Sequence, residues 1–150
     1  MTKVTDTTLT GSAARLRMAI VRTARRLRQE AASEATDLTP TSTAALATID
    51  RHGPLTPSEL AEIERVKRPT VTRTLGCLDR AGLIERTPDP ADGRSSLVSV
   101  NSAGRERLRR LRGRKNAYLA RRMRDLPNSD VATLERAAEI LEGILEDERR

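Results

Sequence analysis

The chain has 150 residues, the size of one ordinary domain, and its 33% charged residues exclude a membrane protein. A net charge of +7 points to a polyanionic partner. The presence of one Tyr and no Phe or Trp excludes the base-stacking platforms of single-strand binders, which favours duplex DNA.

No stretch approaches the roughly 20 apolar residues of a membrane span. The opening MTKVTDTTLTGSA lacks the apolar run of a signal peptide. A cytoplasmic location with no membrane partner is expected.

In chain order, Leu9, Ala13, Leu16, Ile20, Ala24, Leu27 and Ala31 recur in threes and fours, one apolar stripe on a long helix. The next pattern opens with Thr39 as N-cap and Pro40 in the first turn, and closes at Gly53 and Pro54. LTPSELAEIE repeats the device: Thr56, Pro57 and Glu59 form a capping box, in which hydroxyl and carboxylate satisfy each other's orphan amides. Then KRPTVTRTLGCLDRAG sets Val71, Leu75 and Leu78 at helical spacing and ends at Gly82.

The period changes over LIERTPDPADGRSSLVSV. Leu83 to Arg86 and Ser95 to Val100 read as strands, with two prolines, two aspartates and Gly93 between them as a hairpin tip. Asn101 caps the next helix, which passes through Leu108, Leu111, Tyr118, Leu119 and Met123 to a breaker at 126–130. A last helix carries Val131, Leu134, Ala138, Leu141 and Leu145. Helix, turn, helix, hairpin is the order of a winged helix-turn-helix. The fold class is mainly α, with a two-stranded β-hairpin wing and long terminal helices.

LTPSELAEIERVKRPTVTRTLGCLDRAGLIERTPDPADGRSSLVSVNSAG resembles the central DNA-binding region of the MarR family of bacterial transcription regulators. DPADGRSSLVSV, RPTVTR and AGLIER carry that resemblance together at their proper distances. It implies a single MarR-type domain over 1–150, a winged lobe at 38–100, and dimerisation helices at 9–35 and 101–147. It also implies a homodimeric repressor of a pseudo-palindromic operator, released by a small-molecule effector. Lys67 to Arg73 would enter the major groove and Arg94 the minor groove. The sequence departs from the family pattern in three places: Lys67 replaces a common capping Ser, Arg65 a common Gly, and Val100-Asn101 the usual Leu-Thr.

The site residues expected from this reading are Lys67, Arg68, Pro69, Thr70, Thr72, Arg73, Asp92 and Arg94. The first turns of a helix reach base edges in the major groove. Thr70 offers a hydroxyl and a methyl, and Arg73 suits guanine or, as the alternative, a phosphate, where Arg68 is weighed too. Amides from Lys67 to Thr70, lacking a capping side chain, are left to a DNA phosphate or to water. Asp92 is expected to hold the Arg94 guanidinium in its inserted pose.

Cys77 reads as a small buried hydrophobe rather than a redox switch, and as the lone cysteine it excludes an internal disulfide or a cysteine-based zinc site. His52 reads as a helix C-terminal residue, and Tyr118 as a core or interface side chain. With one His, one Cys, no HExxH and no glycine-rich phosphate loop, the chain is expected to be no enzyme and to hold neither metal nor cofactor. The rival reading is an architectural, sequence-tolerant DNA-binding protein without an effector, supported by the arginine-dense stretch 105–124.

Overall fold

The computed structural model describes residues 6–32 and 38–147, and local capping and stop signals set several of its elements. They are α1 (Asp6–Ala31), α2 (Pro40–His52), α3 (Pro57–Glu64), α4 (Arg68–Arg80), β1 (Ile84–Pro88), β2 (Ser96–Val100), α5 (Ser102–Met123) and α6 (Asn128–Asp147). The end of the expected first helix, 33–35, lies outside the described residues. No helix among the described residues is long and apolar enough to cross a membrane.

The chain divides into two compact units, residues 1–115 and 116–150. The first holds the core. Ala45, Leu46 and Ile49 of α2 meet Leu60 and Ala61 of α3, Val71, Leu75 and Leu78 of α4, Val98 and Val100 of β2, and Leu108 of α5. The second holds the end of α5 and α6, whose Leu134, Ile140, Ile144 and Leu145 are exposed. In α1 most of the apolar stripe is likewise exposed, and Ala31 is its buried residue.

The caps follow the sequence. The Thr39 hydroxyl accepts from the Ser42 amide at 3.1 Å. The Thr56 amide and hydroxyl donate to Glu59 Oε2 at 2.7 and 2.8 Å, while the Glu59 amide donates to the Thr56 hydroxyl at 3.2 Å. These hydrogen bonds, the backbone one first, hold the Glu59 carboxyl below the usual carboxylate range. Asn101 Oδ1 accepts from the Gly104 amide at 2.9 Å, opening α5.

Two glycines act through different physics. Gly82 takes φ 67°, letting Leu83 N–H reach the Leu78 carbonyl (3.1 Å) and Gly82 N–H reach Asp79 (2.9 Å), a left-handed helix stop that turns the chain into the wing. Gly53 is not left-handed; a Cβ there would meet the Ile49 carbonyl at 2.5 Å. Close backbone approach is its reason. At Arg65 the chain adopts φ 51°, a left-handed backbone that favours glycine, with an arginine.

The hairpin pairs β1 antiparallel to β2 from Ile84↔Val100 to Pro88↔Ser96. β1 thus runs two residues beyond Arg86, and Pro88 belongs to the strand rather than the tip. Pro88 sits at the end of an edge strand, where its missing N–H breaks no ladder. The opposite edge of β2 receives Leu55, whose N–H and C=O both pair with Val98 (3.0 and 2.7 Å). This bridge ties the α2–α3 link to the wing base.

Candidate nucleic-acid interface

α4 buries Val71, Thr74, Leu75 and Leu78 against the core. Lys67, Arg68, Pro69, Thr70, Thr72 and Arg73 are all exposed, so the 3.6-residue period turns the cationic start of the helix outward. No acidic residue occupies its first turn.

The start of α4 has no side-chain cap. Pro69 contributes no N–H, and the Thr70 N–H turns back onto the Lys67 carbonyl at 2.9 Å. The open donors at this terminus are therefore the Lys67 and Arg68 amides, fewer than the sequence suggests. The Thr72 hydroxyl donates to the Arg68 carbonyl at 3.1 Å, leaving its lone pairs and methyl to a partner. Arg68 Nη2 donates to Ser58 Oγ at 2.9 Å, which draws its guanidinium toward the start of α3. Arg73 borders a groove with Thr39 and Thr41 of α2 and with Pro69, Thr70 and Cys77.

The tip between the strands is built on aspartates. Asp89 Oδ1 accepts from Ala91 N–H (2.9 Å) and Asp92 Oδ1 from Arg94 N–H (3.0 Å). The expected partner of Asp92, the Arg94 guanidinium, is not the one it takes. A short side chain two residues back reaches the backbone amide first, forming an Asx-type turn. Asp92 therefore shapes the tip, and Arg94 is left exposed with no ion pair among the described residues.

One contact beyond the expected residues organises this surface. Arg86 Nε and Nη2 both donate to Asp79 Oδ2, at 3.0 and 2.6 Å, joining β1 to the end of α4. Together with Arg68–Ser58, this fixes the wing and α4 to their neighbours. Seven residues separate Asp79 from Arg86 across the Gly82 turn, and the turn brings them together. No periodicity signals that.

Cys77 is half-buried, and its Sγ accepts from Arg80 Nη2 at 3.3 Å. His52 ends α2 and is exposed. Tyr118 is half-buried, with Arg122 Nε donating to its hydroxyl at 3.4 Å and the guanidinium carbon 5.6 Å from the ring centre. A separate pocket of about 240 Å³ is lined by Ala31, Leu38, Leu108 and Leu111 together with Arg28 and Lys115.

Residues 38–96 match the MarR family. An HTH-type transcriptional regulator of Mycobacterium tuberculosis (strain CDC 1551 / Oshkosh) is 35% identical over 132 residues, covering 88% of this chain and 91% of that protein. A protein of Pseudomonas aeruginosa PA01 described as a transcriptional regulator superposes with a TM-score of 0.81 at 35% identity, over 95% of this chain and 99% of that one. Escherichia coli MarR in its apo form gives a TM-score of 0.70 at 25% identity, over 86% and 95%. Streptococcus pneumoniae FabT, solved in complex with DNA, shares the fold at 21% identity and a TM-score of 0.68, over 90% and 98%. The relatives are regulators rather than enzymes, and this chain belongs to the MarR family of DNA-binding, HTH-type transcriptional regulators.

Proposed function

We propose that this regulator works in the cytoplasm as a homodimer that represses transcription from a pseudo-palindromic operator and leaves it when a small molecule binds. One observation carries the reading: α4 presents Lys67, Arg68, Thr70, Thr72 and Arg73 to solvent while Val71, Leu75 and Leu78 anchor its other side. The helix enters the major groove with Arg73 toward a guanine, and Arg94 enters the adjacent minor groove. The complex of FabT with DNA supports DNA as the partner.

The dimer rests on the apolar residues left exposed on α1 and α6, Leu9, Leu16 and Ile20 on one and Leu134, Ile140 and Ile144 on the other. A second copy covers them. Release rests on the pocket lined in part by Arg28 and Lys115, whose apolar walls join α1, α2 and α5 within residues 1–115.

Selection of bound fragments from random duplex DNA tests the reading. Enriched sequences should show two half-sites about 34 Å apart, one helical turn, or a multiple of it. Arg73→Ala should weaken binding by roughly 1 to 3 kcal/mol and relax preference at one position per half-site. Arg94→Ala should weaken all sequences together. Light scattering should report twice the 16.6 kDa chain mass. A monomer that binds the selected operator overturns the dimer, and a flat selection favours a sequence-tolerant architectural protein.

A further inference from the structure

The first half of α5 carries RERLRRLRGRK, residues 105–115, in which seven basic residues stand against Glu106 alone. Arg105, Arg109 and Arg112 are spaced four and three apart and fall on one face, in line with Ser102 one turn earlier. These four and Asp50 of α2 line a groove of about 260 Å³. Three guanidiniums share it with one carboxylate.

Their present partners leave donors over. Arg112 Nη2 lies 3.0 Å from Asp50 Oδ2, Arg109 Nη2 lies 2.6 Å from Glu106 Oε2, and Arg105 Nη1 donates to the Val100 carbonyl at 2.6 Å. Each guanidinium has five N–H donors. Arg105 has no carboxylate partner among the described residues. The Arg109 and Arg112 side chains are 70% and 56% exposed, so their heads are open to a ligand.

The groove is remote from the DNA-reading surface. It adjoins Asp50 near the C-terminal end of α2, whereas Thr39 and Thr41 at the other end flank Arg73. A helix of that length spans about 20 Å. It also adjoins the base of the wing, about 17 Å of strand from the tip. The groove is therefore a separate surface from the one that α4 and Arg94 present.

We propose that this groove binds a phosphate-bearing small molecule, with Arg105, Arg109 and Arg112 as its donors and the Ser102 hydroxyl beside them. Glu106 pairs with Arg109 and Arg110, and Asp50 with Arg112, yet each carboxylate carries one charge on two oxygens. Three forked donors along about 10 Å of helix match the several oxygens and multiple charge of a phosphate monoester or polyphosphate. Such a ligand competes with Asp50 for Arg112, so its binding loosens the ion pair between α2 and α5. The inference is independent of the operator reading.

The test is nuclear magnetic resonance on the isotope-labelled full chain, titrated with sodium pyrophosphate against sodium chloride of equal ionic strength. Saturable shifts are expected at the amides of Ser102, Arg105 and Arg109. Arg109→Gln, which removes a side chain paired only with its own helix, should keep the parent's melting temperature and weaken binding at least about tenfold. Arg73→Ala should leave the groove's affinity unchanged. Adenosine monophosphate and diphosphate, in parallel, separate a nucleotide from a simple phosphate as the preferred form. Shifts confined to residues 67–73, or shifts that follow ionic strength over the whole basic surface, overturn the proposal. So do shifts of Ser102 and Arg105 produced by duplex DNA of unrelated sequence and not by pyrophosphate, which make the groove a second DNA contact.

Discussion

Asp92 sets two physical effects against each other, and their sizes decide the outcome. With the wing tip in the proposed minor groove, Asp92→Ala removes a negative charge beside DNA, which by itself tightens binding. For a phosphate roughly 8 Å away in water that repulsion is about 0.5 kcal/mol, and salt at physiological strength reduces it further. The same substitution removes the 3.0 Å bond from the Arg94 amide to Asp92 Oδ1, which closes the tip. Re-ordering even one freed residue on binding costs about 1 to 2 kcal/mol. The ordering effect wins, and Asp92→Ala should bind operator several-fold more weakly. Asp92→Asn keeps an oxygen for the Arg94 amide and loses the charge, so it should bind as tightly as the parent or more so. Fluorescence anisotropy with a labelled operator, at three salt concentrations, separates the two variants. If alanine and asparagine tighten binding equally, charge alone acts at this position and the tip bond is irrelevant to DNA.

A Cβ at Gly104 would lie 2.2 Å from the Leu83 carbonyl and 2.6 Å from Val100 Cγ1, so Gly104→Ala should lower stability by about 1 to 3 kcal/mol in thermal denaturation. Lys67→Ser supplies the missing cap of α4 and should raise stability by about 1 kcal/mol over Lys67→Ala, while both variants reduce the salt slope of DNA binding by about one. An unchanged slope would show that Lys67 touches no phosphate. The Glu59 carboxyl is held low by its bonds from Thr56, so its contribution is full above the unfolded-state value near about pH 4 and is lost as pH falls through the lower folded-state value. The melting deficit of Thr56→Ala relative to the parent should therefore shrink from neutral pH toward about pH 3, as measured by circular dichroism.

What was legible in the sequence is what local chemistry determines. Thr39, Thr56 and Asn101 cap helices through bonds to residues three positions on, and Gly82 ends α4 through its own backbone. The exposed face of α4 follows from the positions of Val71, Leu75 and Leu78 and the helical period, which made Lys67 to Arg73 readable as a surface. Contacts that depend on tertiary placement were not readable. Leu55 bridges Val98 across 43 positions, Arg68 finds Ser58, and Asp50 meets Arg112, each because packing brings separate elements together. The bond that Asp92 makes to the Arg94 amide was missed for a smaller reason: a fixed amide two residues away requires less ordering than a guanidinium on a long flexible arm.

The places where local rules are broken cluster on one side of the winged lobe. α2, α3 and α5 begin with a side-chain cap; α4 begins with Lys67 and none. One residue earlier than Val66, Arg65 holds a left-handed backbone that glycine would adopt with less strain. Both departures put a cationic side chain where the stabler choice is small or polar, and both lie in the turn that leads into the exposed start of α4. A Ser at position 67 would cap the Thr70 N–H, whereas lysine gives up that bond and adds positive charge beside the Lys67 and Arg68 amides. Stability is given up in this turn for positive potential at the exposed start of α4, which is the pattern expected when a functional constraint overrides local preference.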